Sequence, residues 1–425
     1  MKVTVAMLGA RRHYAVPRLL HEAGLLDRFF TDSYIGNKPW LETMLRSIPP
    51  RLSPRGVQRW LGRKDAVLPR EKVWSSEALG LWFVWARMRA RTHSEKQVAF
   101  REAARRFSSQ ILRAGLGHAP IVWGFNGAAL ELFQAARAQN RMCVLEQTIL
   151  PAELEFRLMR EELGRWPGWQ PELDIPKDDP LTIERARREW ELADCIVAGS
   201  DFVRGGLEEC GVPATKIRVV PYGVDVERFS PAETRESKPN EALRVLFVGQ
   251  VGLRKGVPDL LHALAKLGRD RVQAKLAGRV ALAREQMAPF SDVATFLGAV
   301  PRIQMSPLYR WADLFVLPSI VEGSAAASYE ALLSGLPVIA TPNTGSIIED
   351  GVNGRIVPIR DAEALADAIG QYAADRDFLA RHQATCRGDR ASAGLTRYRS
   401  DLMSLVDSLV AREVANEEKP AKHFR

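Results

Sequence analysis

Short apolar runs alternate along this chain with amphipathic stretches, the rhythm of strands buried beneath helices. In the first half, Val3–Leu8, IVWG (121–124), MCVLEQ (142–147) and DCIVAGS (194–200) read as strands. Helices are predicted over 15–23, 128–138 and 183–192, and Ser200 or Asp201 is placed to cap the next one. KIRVVPYGVD (216–225) reads as a strand and turn. Residues 37–95, with Pro49-Pro50 and Pro54, look irregular, with several short helical patterns. The second half opens on RVLFVG, followed by a helix at 258–267 and strands at 272–276 and 294–297. A long amphipathic helix is predicted over 393–414. Strand–helix alternation in both halves predicts an α/β protein with two Rossmann-like, doubly wound domains facing across a cleft. The expected division is a first domain over 1–229 and a polar, proline-containing linker over 230–242. A second domain covers 243–392, and a terminal helix (393–425) packs back on the first.

The stretch from Trp311 to Pro358 carries the clearest chemistry. ADLFVLPS reads as a buried parallel strand, Gly323–Ser328 are all tiny, and a helix follows, closed by Gly335 and Pro337. A helix N-terminus exposes free N–H groups and a partial positive charge, and tiny residues let a phosphate approach them. Glu322 lies before this helix and Glu330 within its first two turns. Two carboxylates beside a phosphate-friendly helix suit a ligand with a diphosphate and several hydroxyls. RVLFVGQVGLRKG adds a loop with Arg254 and Lys255 after a strand ending at Gly249. Cations at the carboxyl end of such a strand are placed to hold a diphosphate. Alone, an Arg–Lys pair in a turn reads equally as a solvated surface feature.

Composition narrows the picture. A chain of 425 residues with 26% charged and 46% hydrophobic residues is globular and too long for one ordinary core. The net charge of +9 is concentrated at 37–118, which hold 17 Lys/Arg against 6 Asp/Glu. Four cysteines without CxxC or zinc spacing suit a reducing cytoplasm. Apolar residues followed by arginines at the N-terminus suit a first strand entering a loop rather than a secretory signal.

From about 183 to 375 the chain resembles the retaining glycosyltransferases of family 4, the group 1 enzymes of GT-B architecture. The resembling segments are ADCIVAGSDFVRGGLEECGVPATKIRVVPYGVDVERFSP, VLFVGQVGLRKG, ATFLGAV and ADLFVLPSIVEGSAAASYEALLSGLPVIAT. The resemblance implies that Glu330 accepts hydrogen bonds from the nucleotide's ribose and that Glu322 lies near the donor sugar's hydroxyls. Gly323, Ser324 and Ala325 take the place of a GFG segment whose backbone contacts sugar and phosphates. Arg254 and Lys255 take the place of the basic pair on the diphosphate, after the strand ending at Gly249. Gly9 lies in the N-terminal loop lining the cleft opposite. The implied donor is a UDP- or GDP-sugar, with no obligatory cofactor and no metal. The implied reaction is hexosyl transfer to a hydroxyl with retention, in cell-surface polysaccharide or glycolipid synthesis.

Three departures from the family pattern stand out: Gly249-Gln250 for Gly-Arg, GSA for GFG, and Gln147 where a histidine often lies near the donor sugar. Gln147 can hydrogen-bond a sugar hydroxyl but cannot serve as an imidazole. His13 is a candidate contact for acceptor or phosphate. Asp375-Arg376-Asp377 reads as a helix cap rather than a metal site. Five of the ten tryptophans (Trp40, Trp60, Trp74, Trp82, Trp85) lie at 38–91 among arginines, a composition suited to peripheral docking on an anionic inner membrane face. A lipid-linked glycan acceptor would fit there; no nucleic-acid signature accompanies the charge. A nucleotide-sugar epimerase, a glycosyl phosphorylase or a non-catalytic scaffold on the same fold are the competing readings. The absence of GxGxxG after either first strand disfavours a dinucleotide-dependent oxidoreductase.

Overall fold

The structure is a computed structural model that describes residues 1–47, 55–176, 179–231 and 241–417. Most of the expected linker (232–240) lies outside these residues, as do Pro49-Pro50 and Pro54. Among the described residues the strands form two wholly parallel sheets. The first contains β1 (Val3–Met7), β2 (Leu26–Thr31), β3 (Val73–Ser75), β4 (Ile121–Phe125), β5 (Met142–Gln147), β6 (Cys195–Ala198) and β7 (Ile217–Val219), in the order β3-β2-β1-β4-β5-β6-β7. The second contains β8 (Leu243–Val248), β9 (Val272–Ala277), β10 (Ala294–Gly298), β11 (Leu314–Leu317), β12 (Val338–Ala340) and β13 (Gly354–Ile356), in the order β10-β9-β8-β11-β12-β13.

Both sheets are doubly wound, and each reverses direction beside its first strand. The switch points fall between β1 and β4 and between β8 and β11. A crevice forms beyond the carboxyl ends of the strands at such a point, because successive connections leave it in opposite directions. The central strands are buried throughout: β1, β4, β6 and β11 expose nothing, as continuous apolar runs under helices on both faces require. Three strands escaped the sequence reading: β2 and β3 of the first sheet and β13 of the second. LDRFFT and VWS are short and carry polar or aromatic residues without a clear run, yet β2 and β3 extend the first sheet in parallel register. The segment expected to be irregular also holds helices at Pro39–Arg46 and Glu77–Arg89, with His93–Ala114 following.

The helix Leu395–Glu417 returns to the first sheet. Gly394 bridges Val224, Arg397 donates to the Tyr222 carbonyl, and Tyr398 packs edge-on against Tyr222 at 6.3 Å. In the other direction, the helix Ala152–Arg165 of the first half leans on the second: Arg165 pairs with Asp259 at 3.1 Å. Just beyond, the Gln170 side chain accepts from the Leu253 amide at 3.0 Å. The two lobes therefore exchange supports at both ends of the cleft.

One glycine fixes the turn that follows β8. Gly256 adopts φ +63°, and a Cβ there would lie 2.0 Å from the Pro318 carbonyl oxygen at the end of β11. Left-handed backbone and close approach both require glycine. Gly256→Ala is expected to lower the thermal midpoint by roughly 5 °C or more. A melt followed by circular dichroism checks this, and an unchanged midpoint would mean the turn is not so confined.

Candidate active site

The two switch-point loops of the second lobe meet each other and face the loops after β5 and β6 of the first. In the second lobe, the loop after β8 is tied to the loop after β11: the Ile320 amide donates to the Arg254 carbonyl at 3.0 Å, and Arg254 Nε donates to the Val321 carbonyl at 3.1 Å. This pairing sets Lys255 against Glu322 in a direct ion pair, each side chain about one-sixth exposed. Burial works against the Glu322 carboxylate, but the charges of Lys255 and Arg254 outweigh it and hold the group below its usual range. Arg254 also lies 3.6 Å from Glu155 of the first lobe. Gly249 ends β8 with no side chain to obstruct the lysine stem; a Cβ there would lie 3.5 Å from Lys255 Cε. All four charged groups line a cavity of about 560 Å³ between the lobes, walled on the other side by Phe83, Arg87 and Phe100.

The tiny-residue segment lies against the first lobe. A Cβ on Gly323 would lie 1.9 Å from the Thr148 carbonyl oxygen, and the Ser200 hydroxyl donates to the Gly323 carbonyl. Ser200 is also the helix cap, accepting from the Val203 amide. The Ser324 hydroxyl is bonded to Tyr329, and the Ala325 amide reaches the Thr344 carbonyl. The helix begins at Ala326, so Glu330 is its fifth residue. Glu330 accepts from the Tyr309 hydroxyl at 2.8 Å and faces the positive charges of Arg302 and Arg228. Burial raises its carboxyl despite these partners.

Across the cleft, the Gly9 amide donates to Asp32 at 2.8 Å, and Arg63 pairs with the same carboxylate. Arg12, His13 and Tyr14 are three consecutive residues with left-handed φ (51°, 50° and 62°). Each such residue without glycine stores strain, which concentrates at ligand sites. The Arg12 guanidinium is packed over the Tyr222 ring at 3.2 Å and the Tyr398 ring at 4.2 Å, 3.6 Å from Glu146. Arg11 donates to Asn126 and Thr148, each at 2.8 Å. His13, at the rim, is thereby carried toward Arg302 and Arg228. Partial burial at the rim, then those two charges, lower its imidazole from the ordinary range.

Lys255, Glu322, Arg254, Gly249 and Gly323 are thus brought together, and His13 and Glu330 share the same pair of arginines. The Gln147 amide donates to the Ile149 carbonyl at 2.8 Å and its carbonyl accepts from Trp190 at 3.1 Å, so both ends of the side chain have partners within the first lobe. Sequence reading missed Arg11, Arg12, Tyr309, Arg228 and Arg302. The Arg-Arg after the first strand was the available signal for the first two. Asp375 caps a helix by accepting from the Phe378 amide at 2.8 Å.

Two parallel, doubly wound sheets facing across a cleft lined by their switch-point loops are the GT-B architecture. The sucrose-phosphate synthase of Thermosynechococcus elongatus matches with a TM-score of 0.64 at 19% identity, covering 97% of this chain and 100% of that one. Anabaena HepE, crystallised with UDP, matches with a TM-score of 0.62 at 14% identity, covering 96% and 100%. Within that class, residues 242–375 match the family described as glycosyl transferases group 1. A D-inositol 3-phosphate glycosyltransferase of Geodermatophilus obscurus is 32% identical over 253 residues, 54% of this chain and 54% of the relative. The chain spans about half the length of the curated relatives it matches.

A histidine whose folded pKa is depressed favours its neutral form. Its contribution to stability is present above the unfolded pKa of about 6.5 and is lost as the pH falls toward the folded value. In the ligand-free protein the His13 ring resonance is therefore expected to titrate below about 6.5. Titration by NMR against a His13→Ala reference checks this; a midpoint at or above that value would separate His13 from Arg228 and Arg302.

Proposed function

We propose that the protein transfers a sugar from a nucleotide-diphosphate sugar to a hydroxyl acceptor, with retention of anomeric configuration. The observation that carries this is the buried Lys255–Glu322 pair, set between lobes at the second switch point, inside a cavity with Arg254 at its wall. Such a pair is costly to bury unless function keeps it. An entering diphosphate would compete with Glu322 for Lys255, leaving the carboxylate free to accept hydrogen bonds from the sugar. Glu330, with Tyr309 behind it, would take the ribose hydroxyls, and exposed Arg228 and Arg302 favour an anionic nucleotide nearby.

Negative charge grows on the leaving phosphate as the glycosidic bond breaks. Fixed cations at that position stabilise the transition state more than the ground state. The acceptor hydroxyl would attack on the face the phosphate leaves, and its proton would pass to the departing phosphate oxygen. Closure of the lobes excludes water and protects the donor from hydrolysis. The acceptor enters from the first-lobe wall, and a glycan or lipid-linked glycan of a cell-surface polymer or glycolipid suits that wall. UDP is bound by HepE on this same fold, so UDP-sugars are the first donors to test and GDP-sugars the second.

A nucleotide that binds only the native state raises its melting temperature. UDP or GDP is expected to do so, and Glu330→Ala to diminish the shift. Lys255→Ala is expected to lower turnover on the order of 10²-fold or more. Wild-type kinetics and an undiminished shift in both variants, on a donor shown to react, would overturn these assignments.

A further inference from the structure

The helix Glu77–Arg89 is apolar on both sides. Leu79, Gly80 and Phe83 are buried against the first lobe, as an amphipathic helix would bury them. Leu81, Val84, Trp85 and Met88 also recur at helical spacing, and they are 65%, 53%, 49% and 74% exposed. This i, i+3, i+4, i+7 series forms a second stripe about 100° wide that the described residues leave uncovered. A helix apolar all round is ordinarily enclosed; among the described residues this one has a partner on one face alone. Arg87 and Arg89 lie at opposite edges of the stripe by helical spacing, and Arg91 follows two residues beyond Arg89. Trp40 and Met44, on the helix Pro39–Arg46, add 69% and 54% exposed apolar surface. The two helices are tied at their starts by the Lys38–Glu77 ion pair at 2.7 Å.

We propose that this second face is the seat of the protein on an anionic bilayer. Four features choose that occupant. The stripe is narrow and convex rather than grooved, and includes Trp85, a residue suited to the headgroup boundary. Arginines flank it, and the segment 37–118 carries the chain's excess positive charge, complementary to acidic headgroups. Among the described residues no helix is long and apolar enough to cross a membrane, so the attachment is in the interface plane. The helix's other side opens on the cleft: Phe83 and Arg87 wall the cavity that holds Lys255 and Glu322. A single helix thus has lipid on one side and the reacting centre on the other. An acceptor anchored in the bilayer, its sugar or headgroup hydroxyl at the surface, would rise along this helix to reach the donor. That last step rests on the proposed glycosyl transfer; the lipid seat itself does not.

The test is flotation of the full chain with phosphatidylcholine vesicles, with and without phosphatidylglycerol, at low salt. The wild type is expected to float with the anionic vesicles, and its tryptophan emission to shift to the blue by a component that Trp85→Ser removes. A Leu81→Ser, Trp85→Ser, Met88→Ser variant is expected to partition at least about tenfold more weakly, since each buried apolar side chain favours transfer from water by about that factor. All three side chains are exposed and outside the cleft, so UDP- or GDP-induced thermal stabilisation is expected to survive. Absence of flotation, or flotation unaltered in the triple variant, overturns the proposal. So does a dimer in sedimentation velocity that the triple variant converts to a monomer, because the stripe would then be covered by a second copy. A protein that floats but gains no stability from any nucleotide keeps the lipid seat and loses the transferase assignment; the reverse result does the opposite.

Discussion

The cleft depends on the meeting of two backbones where Gly323 lies on the Thr148 carbonyl. A Cβ at 323 would fall 1.9 Å from that oxygen, and one at Gly345 would fall 2.4 Å from the Gly323 carbonyl and 2.6 Å from the Ser200 hydroxyl. No side chain can be accommodated at either position without moving one lobe. The run of tiny residues first suggests room for a phosphate at a helix start. In this structure their smallness serves the approach of the lobes, with Ser200 fastening the Gly323 carbonyl. Both roles follow from the same cause, because a loop stripped of side chains lets either protein or ligand reach its backbone.

From that contact the charges arrange themselves in two groups of different character. Lys255 and Glu322 are buried and paired, so their net charge is small and their field short in range. Arg228, Arg302 and His13 are exposed and of like tendency, with Glu330 the nearby carboxylate. The first group gains most from low dielectric and suits the point where charge changes during reaction. The second is screened by solvent and suits capture of an anion. A ligand with a diphosphate at one end and a ribose at the other would span both.

Much of the scaffold was legible because buried parallel strands are continuous apolar runs. IVWGF, MCVLEQ, CIVA, LRVLFV and LFVL all lie close to where the pattern puts them. LDRFFT and VWS were not, because the first is interrupted by Asp27 and Arg28 and the second is a three-residue edge strand, so neither makes an apolar run. Arg254, Lys255 and Glu322 could be brought together on paper, since each follows a recognisable strand of one sheet. The partners of Gln147 were hidden because a strand end points either to the cleft or into the wall, and sequence does not say which. Trp190, 43 residues away, decides the matter by donating to its carbonyl. Tyr309 as the partner of Glu330, 21 residues away, was equally hidden.

The least legible feature is the loop after β1, and it shows how the chain's two ends act on one site. Three successive left-handed residues cost of order 1–3 kcal/mol each and persist only if the surroundings over-determine them. Here the surroundings are the rings of Tyr222 and Tyr398 on either side of Arg12, with Glu146 beyond. Tyr398 belongs to the returning helix, nearly the whole chain away from Arg12 in sequence. Arg397 beside it holds the Tyr222 carbonyl, so the same helix sets both rings. The strain in the loop is therefore borne by the contact that closes the fold, and His13 next to Arg12 reaches the cleft only while that contact holds. A movement of the lobes that displaced the terminal helix would release Arg12 and withdraw His13 together, which couples the state of the cleft to the docking of the chain's end.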